Sequence, residues 1–229
     1  MTTELALRPS KRLEAAAAPI WRAILDHPYL QQLAAGTLPR AVFREYVKQD
    51  WLYLQEFLRA STVIASRCPD PDLMKVLLQR VQWLITMENH FHHEHAAELQ
   101  LDFDRIDWEM NEANYAYTRH MLWAAHTGST LEALGAMMPC PCVYIHVGAV
   151  LTAGPRPADP MYAQWIEFYG PGPLAERTRQ LEEIFDRLAA GASQAELARA
   201  QRNYVISSRY EWLFWDAALS PRGPNGWFV

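Results

Sequence analysis

The stretch PRAVFREYVKQDWLYLQEFLRASTVIASR, residues 39–67, decides the fold class of this chain. It contains no proline after Pro39, and its apolar residues recur at intervals of three and four, which is the spacing of one face of an α-helix. No alternation of apolar and polar residues and no Asn-Gly or Asp-Gly hairpin signal interrupts it. The stretch therefore predicts one long amphipathic helix, whose buried stripe comprises Phe43, Tyr46, Val47, Asp50, Tyr53, Leu54 and Phe57.

The same pattern continues along the rest of the chain. Prolines are absent from residues 40–68, 72–138 and 174–220, so each interval can be helical throughout. Stop and start signals such as Gly128-Ser129-Thr130, and a capping box from Ser193 to Glu196, mark helix ends. We expect eight helices, over residues 11–26, 39–67, 72–99, 111–127, 130–153, 160–168, 173–190 and 193–219. The sequence thus predicts a single all-α domain over residues 1–229.

The composition excludes several classes of protein. A chain of 229 residues with 50% hydrophobic residues can bury one large core without disulfides or a metal. Its net charge of −5 and its lack of a Lys/Arg run disfavour nucleic-acid binding. We expect neither an export signal nor a membrane helix, because no apolar run approaches the ~18 residues that a span needs. An odd number of cysteines, three, favours a reducing cytoplasm.

Cys140 is a candidate nucleophile because it lies between two prolines, Pro139 and Pro141. Pro141 presets a helix-compatible φ and biases Cys140 toward an extended conformation, so we expect Cys140 at a helix N-terminus. The positive end of the helix dipole lowers the pKa of a thiol there and makes the thiolate more available. The alternative is a small buried hydrophobe, which is the usual role of an unpaired cysteine.

Two carboxylates occupy positions that the helical pattern assigns to the core. Asp50 lies within the stripe of residues 39–67, and Glu211 lies in the middle of the apolar stripe of the last helix. A buried carboxylate is costly unless it is paired or hydrogen-bonded, and burial tends to raise its pKa. A structural hydrogen bond to a neighbouring helix end remains an alternative for Asp50. Together with Cys140, the two carboxylates predict a buried pocket with polar anchors.

A cluster of histidines lies between Met87 and His95. It matches no metal-binding template, since HExxH would need a histidine at residue 97 and HxxEH would need one at residue 91. We therefore expect no metal site there and interpret the cluster as a largely solvated helix face.

Several motifs, in their order and spacing, resemble those of the TenA/thiaminase II family of aminopyrimidine hydrolases. The resemblance rests on His27-Pro28, Gly36–Pro39, Tyr46–Leu54, Ala116–Thr118, Met138–Cys140, Trp165–Tyr169 and Ile206–Trp215. It implies the all-helical haem-oxygenase-like fold without haem, a cytoplasmic homotetramer, and a role in thiamin salvage. The implied substrate is 4-amino-5-aminomethyl-2-methylpyrimidine, with thiamin as a further candidate, and no metal or organic cofactor is implied.

The resemblance also implies a role for each candidate residue. Cys140 is expected to add to the pyrimidine ring, so that the group on the exocyclic methylene departs before water replaces it. Glu211 is expected to be the acid/base, and Asp50 to hold the ring nitrogen and amino group of the substrate. Aromatic walls are expected from Tyr53, Tyr117, Tyr144, Tyr169 and Phe214.

Pro141-Cys142 departs from the family pattern, which usually has an aromatic or acidic residue after the nucleophile, often followed by Trp. Because of this departure, the sequence does not decide the shape of the pocket wall or the identity of the substrate. Cys142 could also act as a resolving thiol under oxidation. Two alternatives also remain. One is a non-catalytic pyrimidine-binding or regulatory protein, and the other is an oxidative enzyme related to pyrroloquinoline-quinone synthase.

Overall fold

The computed structural model describes residues 7–103, 105 and 108–220, apart from the side chains of residues 87–95. Within these residues the chain forms α-helices and no strand, so the all-α prediction is confirmed. The helices are α1 (Pro9–Leu25), α2 (Pro28–Ala35), α3 (Arg40–Arg67), α4 (Pro71–Leu99), α5 (Glu112–Thr127), α6 (Thr130–Met137), α7 (Pro139–Thr152), α8 (Pro160–Tyr169), α9 (Pro173–Ala189) and α10 (Gln194–Leu219).

The short helix α2 is absent from the sequence prediction. It begins at Pro28, and the imidazole Nδ1 of His27 accepts a hydrogen bond from the backbone N–H of Tyr29 at 3.1 Å. It ends at Gly36, whose φ of +71° lies in the left-handed region that favours glycine. A helix of 8 residues is too short to show a helical period, so only its two ends carried a signal.

The predicted helix over residues 130–153 is divided at Met138, because α6 ends at Met137 and α7 begins at Pro139. Pro139 and Pro141 have no backbone N–H, so neither can continue the hydrogen-bond ladder of α6. Cys140 lies in the first turn of α7, as expected, but its backbone is helical. The expectation of an extended Cys140 was wrong because a helix tolerates proline in its first turn.

Helix α10 packs along α6 and runs through the core, where it is also flanked by α1, α5 and α7. The Asn203 amide donates to the Glu132 carbonyl at 3.0 Å, and the Ser207 hydroxyl donates to the Ala136 carbonyl at 2.8 Å. The Ser207 bond satisfies one of the carbonyls in the last turn of α6. These bonds hold α10, which carries Glu211, against the turn that precedes Cys140.

By length and composition alone, the stretch Thr130–Thr152 is apolar enough to cross a membrane, with a mean hydropathy of 1.6. The expectation that the chain contains no such run was therefore too strict. In the structure, 67% of the most apolar part of this stretch is buried inside the bundle. This degree of burial is that of a core helix, and it agrees with the packing of α6 against α10.

Candidate active site

A cavity that is partly open to solvent lies beside the first turn of α7. Four of the predicted site residues line it, namely Asp50, Cys140, Tyr144 and Tyr169. The remaining lining residues are Leu54, Phe57, Arg80, Leu84, Pro141 and Leu174. Helices α3, α4, α7, α8 and α9 therefore all contribute side chains to one space.

Asp50 lies at the core position that the stripe of α3 predicts, with only 5% of its surface exposed. Its charge reaches other polar groups of the site. Burial raises the pKa of Tyr46 well above its usual value, and the Asp50 carboxylate raises it further. Asp50 is thus a buried carboxyl group that lines the cavity, where it can bind a ligand that donates hydrogen bonds.

Glu211 is 2% exposed and accepts a hydrogen bond of 2.6 Å from the Tyr117 hydroxyl. Burial raises the pKa of Glu211 to about 8; the Tyr117 hydrogen bond opposes this rise, and the charge of Asp50 adds to it. A carboxyl group with such a pKa can both give and take a proton near neutral pH.

Tyr53 and Tyr117 pack against each other and interact electrostatically with both Cys140 and Glu211. Their ring centroids are 5.1 Å apart, and Phe214 packs edge-on against Tyr53 at 5.7 Å. Burial raises the pKa of Tyr53 well above its usual value, and a negative charge on Cys140 raises it further. The pKa of Tyr117 is also raised well above its usual value, mostly by burial and then by the charges of Glu211 and Cys140. Both phenols therefore stay protonated and can donate hydrogen bonds.

The predicted site residues thus form two adjoining groups. The first lines the cavity, and the second, which comprises Tyr53, Tyr117, Glu211 and Phe214, does not line it and is held together by the Tyr117–Glu211 hydrogen bond and by ring contacts. The electrostatic effect of Cys140 on Tyr53 and Tyr117 connects the two groups.

Tyr46 also belongs to the site, although its place in the core stripe of α3 predicted only a buried side chain. Its hydroxyl donates to the Tyr144 hydroxyl at 3.2 Å and accepts from the Trp165 indole N–H at 3.3 Å. The Tyr144 hydroxyl therefore has the Tyr46 hydroxyl as a hydrogen-bond partner. Its position one helical turn before Asp50 was the sequence signal that could have identified Tyr46 as a site residue.

Arg80 is a second site residue that was not predicted from the sequence. It lies on α4, is 8% exposed, and lines the same cavity as Asp50. Leu73, Leu77 and Leu84 surround it at helical spacing, so an arginine occupies a core position of α4. That misfit between residue type and position is the same signal that identified Asp50.

Cys142 does not line the cavity, and its sulfur lies 4.0 Å from Oε1 of Glu182. Burial raises the pKa of the Cys142 thiol far above its ordinary value, and the charge of Glu182 contributes to this. These surroundings argue against the suggestion that Cys142 resolves an oxidised Cys140. The side chains of the histidine cluster, His90 to His95, lie outside the described residues.

Comparisons with known proteins agree with this architecture. A sequence model of the TENA/THI-4/PQQC family matches residues 14–220. An aminopyrimidine aminohydrolase of Bacillus subtilis is 31% identical over 215 residues, which cover 93% of this chain and 91% of that protein. A TenA homologue from P. horikoshii OT3 superposes with a TM-score of 0.84 at 29% identity, over 93% of this chain and 98% of its own.

A protein from Shewanella denitrificans with a heme oxygenase-like fold superposes with a TM-score of 0.71 at 13% identity, over 95% of this chain and 98% of its own. At this identity the likeness concerns the fold alone. The predicted haem-oxygenase-like fold is therefore confirmed.

Proposed function

The chain belongs to the TENA/THI-4/PQQC family, and on that premise we propose that it is an aminopyrimidine aminohydrolase. Its proposed substrate is 4-amino-5-aminomethyl-2-methylpyrimidine, with thiamin as a second candidate, and its proposed product is the hydroxymethyl pyrimidine. The observation that carries this proposal is a buried carboxyl group, Glu211, whose pKa is raised to about 8 and which interacts electrostatically with Asp50, a residue that lines the cavity together with Cys140.

We propose that Asp50 binds the amino-pyrimidine edge of the substrate. A carboxylate has two oxygens that can accept hydrogen bonds from the exocyclic amino group and from a protonated ring nitrogen. The aromatic rings of Tyr144 and Tyr169, whose centroids are 4.6 Å apart, line the same cavity and offer surfaces for a flat ring.

Cys140 is the proposed nucleophile. Its thiolate forms a bond to the ring carbon next to the one that bears the aminomethyl group. The electron pair released into the ring then expels the amine, which leaves as ammonia after taking a proton from Glu211. Water adds to the exocyclic methylene and returns a proton to Glu211, and the ring expels the thiolate. The net reaction exchanges one amine for one hydroxyl, so it needs no oxidant or reductant.

Tyr117 is proposed to orient Glu211 through the hydrogen bond of 2.6 Å. This bond fixes one carboxyl oxygen and leaves the other to exchange a proton with the amine and with water. Tyr53 and Phe214 are proposed to pack around this group and exclude other water from it.

Release of ammonia from a small panel of aminopyrimidines and from thiamin tests this function. We expect stoichiometric ammonia and hydroxymethyl pyrimidine from the aminomethyl substrate. Thermal stabilisation by the substrate without ammonia release would instead support the non-catalytic pyrimidine-binding alternative. Turnover that consumes oxygen would support the oxidative one.

We also propose that residues 1–229 form one domain and that the chain assembles as a homotetramer in the cytoplasm. The family match over residues 14–220 supports the single domain. The three cysteines are free thiols, which supports a reducing compartment.

A further inference from the structure

A second polar cluster lies away from the active-site cavity, where α1, α7 and α9 meet. It contains Glu14 from α1, Cys142 from α7 and Glu182 from α9. The ligand atoms of these three side chains all lie within 4.8 Å of one another. Cys142 and Glu182 are buried, and Glu14 is half-buried. The three residues are far apart in the sequence, so no spacing rule could have indicated them.

Tyr204 supplies an independent observation that points to a ligand in this cluster. The residue is fully buried on α10, and its hydroxyl makes no hydrogen bond of normal geometry within the described part of the chain, although it lies within reach of the Cys142 thiol. Burial raises the pKa of Tyr204, and the charges of Cys142, Glu14 and Glu182 raise it further, so the hydroxyl lies within the electrostatic influence of the cluster. A buried hydroxyl without a partner costs folding free energy, and a bound ligand can supply that partner.

The cluster already attracts cations of the protein itself. The Lys11 ammonium lies 2.5 Å from Oε1 of Glu14 and 3.0 Å from Oε1 of Glu182. Arg8 approaches the other oxygen of Glu182 at 3.6 Å. The side chain of Lys11 is 36% exposed and flexible, so it can turn outward into solvent.

We propose that Glu14, Cys142 and Glu182 form a binding site for a zinc-type divalent cation, with the Tyr204 hydroxyl donating a hydrogen bond to one of the bound ligand atoms. A thiolate beside carboxylates suits zinc and disfavours magnesium and calcium. Tetrahedral zinc with such ligands separates neighbouring ligand atoms by about 3.2–3.8 Å. The Cys142 sulfur and Oε1 of Glu182 are 4.0 Å apart, so only a small adjustment is needed.

The charges of the proposed site balance. On binding, the Cys142 thiol releases its proton to solvent and the Lys11 ammonium withdraws. Two carboxylates and one thiolate then carry three negative charges. The divalent cation and the guanidinium of Arg8 together carry three positive charges, so the net charge of the site is zero. The site joins α7 to α1 and α9 through Cys142, two residues after Cys140. A bound cation is therefore expected to stabilise the folded protein. It does not depend on the proposed aminohydrolase function.

Metal binding to the untagged, chelator-treated protein tests this proposal. Zinc affinity is measured by competition with a chromophoric chelator, and cobalt binding by the charge-transfer band of a cobalt–thiolate bond. We expect one zinc ion per chain and a higher melting temperature with zinc. Tyr204→Phe should weaken zinc binding by about 10–100-fold, as changes to groups that hold ligands do. Cys142→Ser and Glu182→Gln should weaken it more.

Two control variants sharpen the test. Cys140→Ser should retain both zinc affinity and the cobalt–thiolate band, which assigns the sulfur to Cys142. Lys11→Ala should bind zinc more tightly than the wild type, because it removes the competing ammonium. Glu14→Gln replaces Glu182→Gln if circular dichroism shows that the latter does not fold.

Two results would overturn the proposal. Failure of both the wild type and Lys11→Ala to bind zinc would mean that the cluster is an ion-pair network held by Lys11. Zinc that binds Cys142→Ser as tightly as the wild type would occupy another place, such as the His90–His95 segment.

Discussion

Two features of its environment shift the pKa of Glu211 in opposite directions. Burial favours the neutral carboxyl group, whereas the hydrogen bond from Tyr117 favours the carboxylate. Burial is the larger effect, so the pKa rises from 4.5 to about 8. A proton carrier for a reaction near neutral pH needs a pKa in this range.

The roles of Glu211 and Asp50 should separate in steady-state kinetics. Glu211→Gln cannot exchange a proton and should lower kcat by about 10²–10⁴-fold. Asp50→Asn breaks a charge-assisted pair with the substrate and should mainly raise KM. The expected loss of binding free energy is about 1.5–3 kcal/mol. Measuring kcat and KM with the aminomethyl pyrimidine decides between the roles. If both variants changed only KM, Glu211 would be an anchor for the substrate and not an acid/base.

The raised pKa of Glu211 also predicts how the stability of the protein depends on pH. The unfolded carboxyl group loses its proton near pH 4.5 and the folded one near pH 8, so the folded state binds more protons between these values. The stabilising contribution is full below about pH 4.5 and declines as pH rises to 8. The difference at pH 8 is a few kcal/mol, since one pKa unit corresponds to about 1.4 kcal/mol.

Chemical unfolding of Glu211→Gln and the wild type at several pH values measures this effect, because the side-chain amide of the variant does not titrate. The stability of the variant relative to the wild type should rise between pH 5 and pH 8. A constant difference across this range would mean that Glu211 is ionised in the folded protein at all of these pH values.

The two cysteines of α7 should differ sharply in function. Cys140→Ser should abolish turnover and retain substrate binding, because a neutral hydroxyl is a far poorer nucleophile than a thiolate. Cys142→Ser should keep substantial activity, because Cys142 does not line the cavity. Ammonia release and substrate-induced thermal shifts of the two variants check both statements. Our choice of nucleophile is wrong if the effects are reversed.

Single residues of the site were predictable where their polarity conflicted with their position. Asp50 and Glu211 interrupt apolar stripes, and both are buried in the structure. The i+3 spacing put Tyr53 on the face of Asp50, but Tyr117 came only from the resemblance, as an aromatic wall, and its hydrogen bond to Glu211 was not predicted. That contact joins α5 to α10, and the period of a single helix carries no information about which helices meet.

At the scale of the elements, most helices were predictable because proline and glycine mark their ends. Helix α10, for example, begins after the Ser193 cap and was predicted within one residue at its start. The division between α6 and α7 was missed because the apolar pattern continues through Met138. Two prolines within one turn of α7 remove the hydrogen bonds that would join the helices, and this effect is independent of hydrophobicity.

Gly148 connects the packing of α7 to the active site. A Cβ atom at this position would lie 2.0 Å from the carbonyl oxygen of Tyr169, at the end of α8. Gly148→Ala should therefore push the end of α8 outward and move Tyr169 away from the cavity. We expect a loss of about 1–3 kcal/mol in stability, typical of overpacking, together with weaker substrate binding.

Gly191→Ala is the matched control, since a Cβ there meets nothing within 4 Å. Thermal unfolding and KM are measured for both variants. Equal behaviour of the two would show that α7 and α8 do not approach as closely as the structure indicates.

At the scale of the whole molecule, several large apolar side chains remain on the surface. Trp123 on α5 is 61% exposed, and Leu78 and Ile85 on α4 are 47% and 46% exposed. Scattered apolar residues are normal on a monomer, but an exposed tryptophan is less common and is typical of interfaces. The chain has nine tryptophans and 50% hydrophobic residues, which is more apolar surface than we expect one helical domain of this size to bury completely.

We expect these side chains to be covered by other copies of the chain in the proposed homotetramer. Light scattering at micromolar concentration should therefore give about four times the chain mass of 26.3 kDa. Trp123→Glu puts a charge where the partner would bury an indole, so it should shift the assembly toward smaller species. Arg202→Glu, a charge change at an exposed position of α10, is the control and should leave the mass unchanged. A wild-type mass of 26.3 kDa would contradict the tetramer and show that the exposed tryptophan faces solvent.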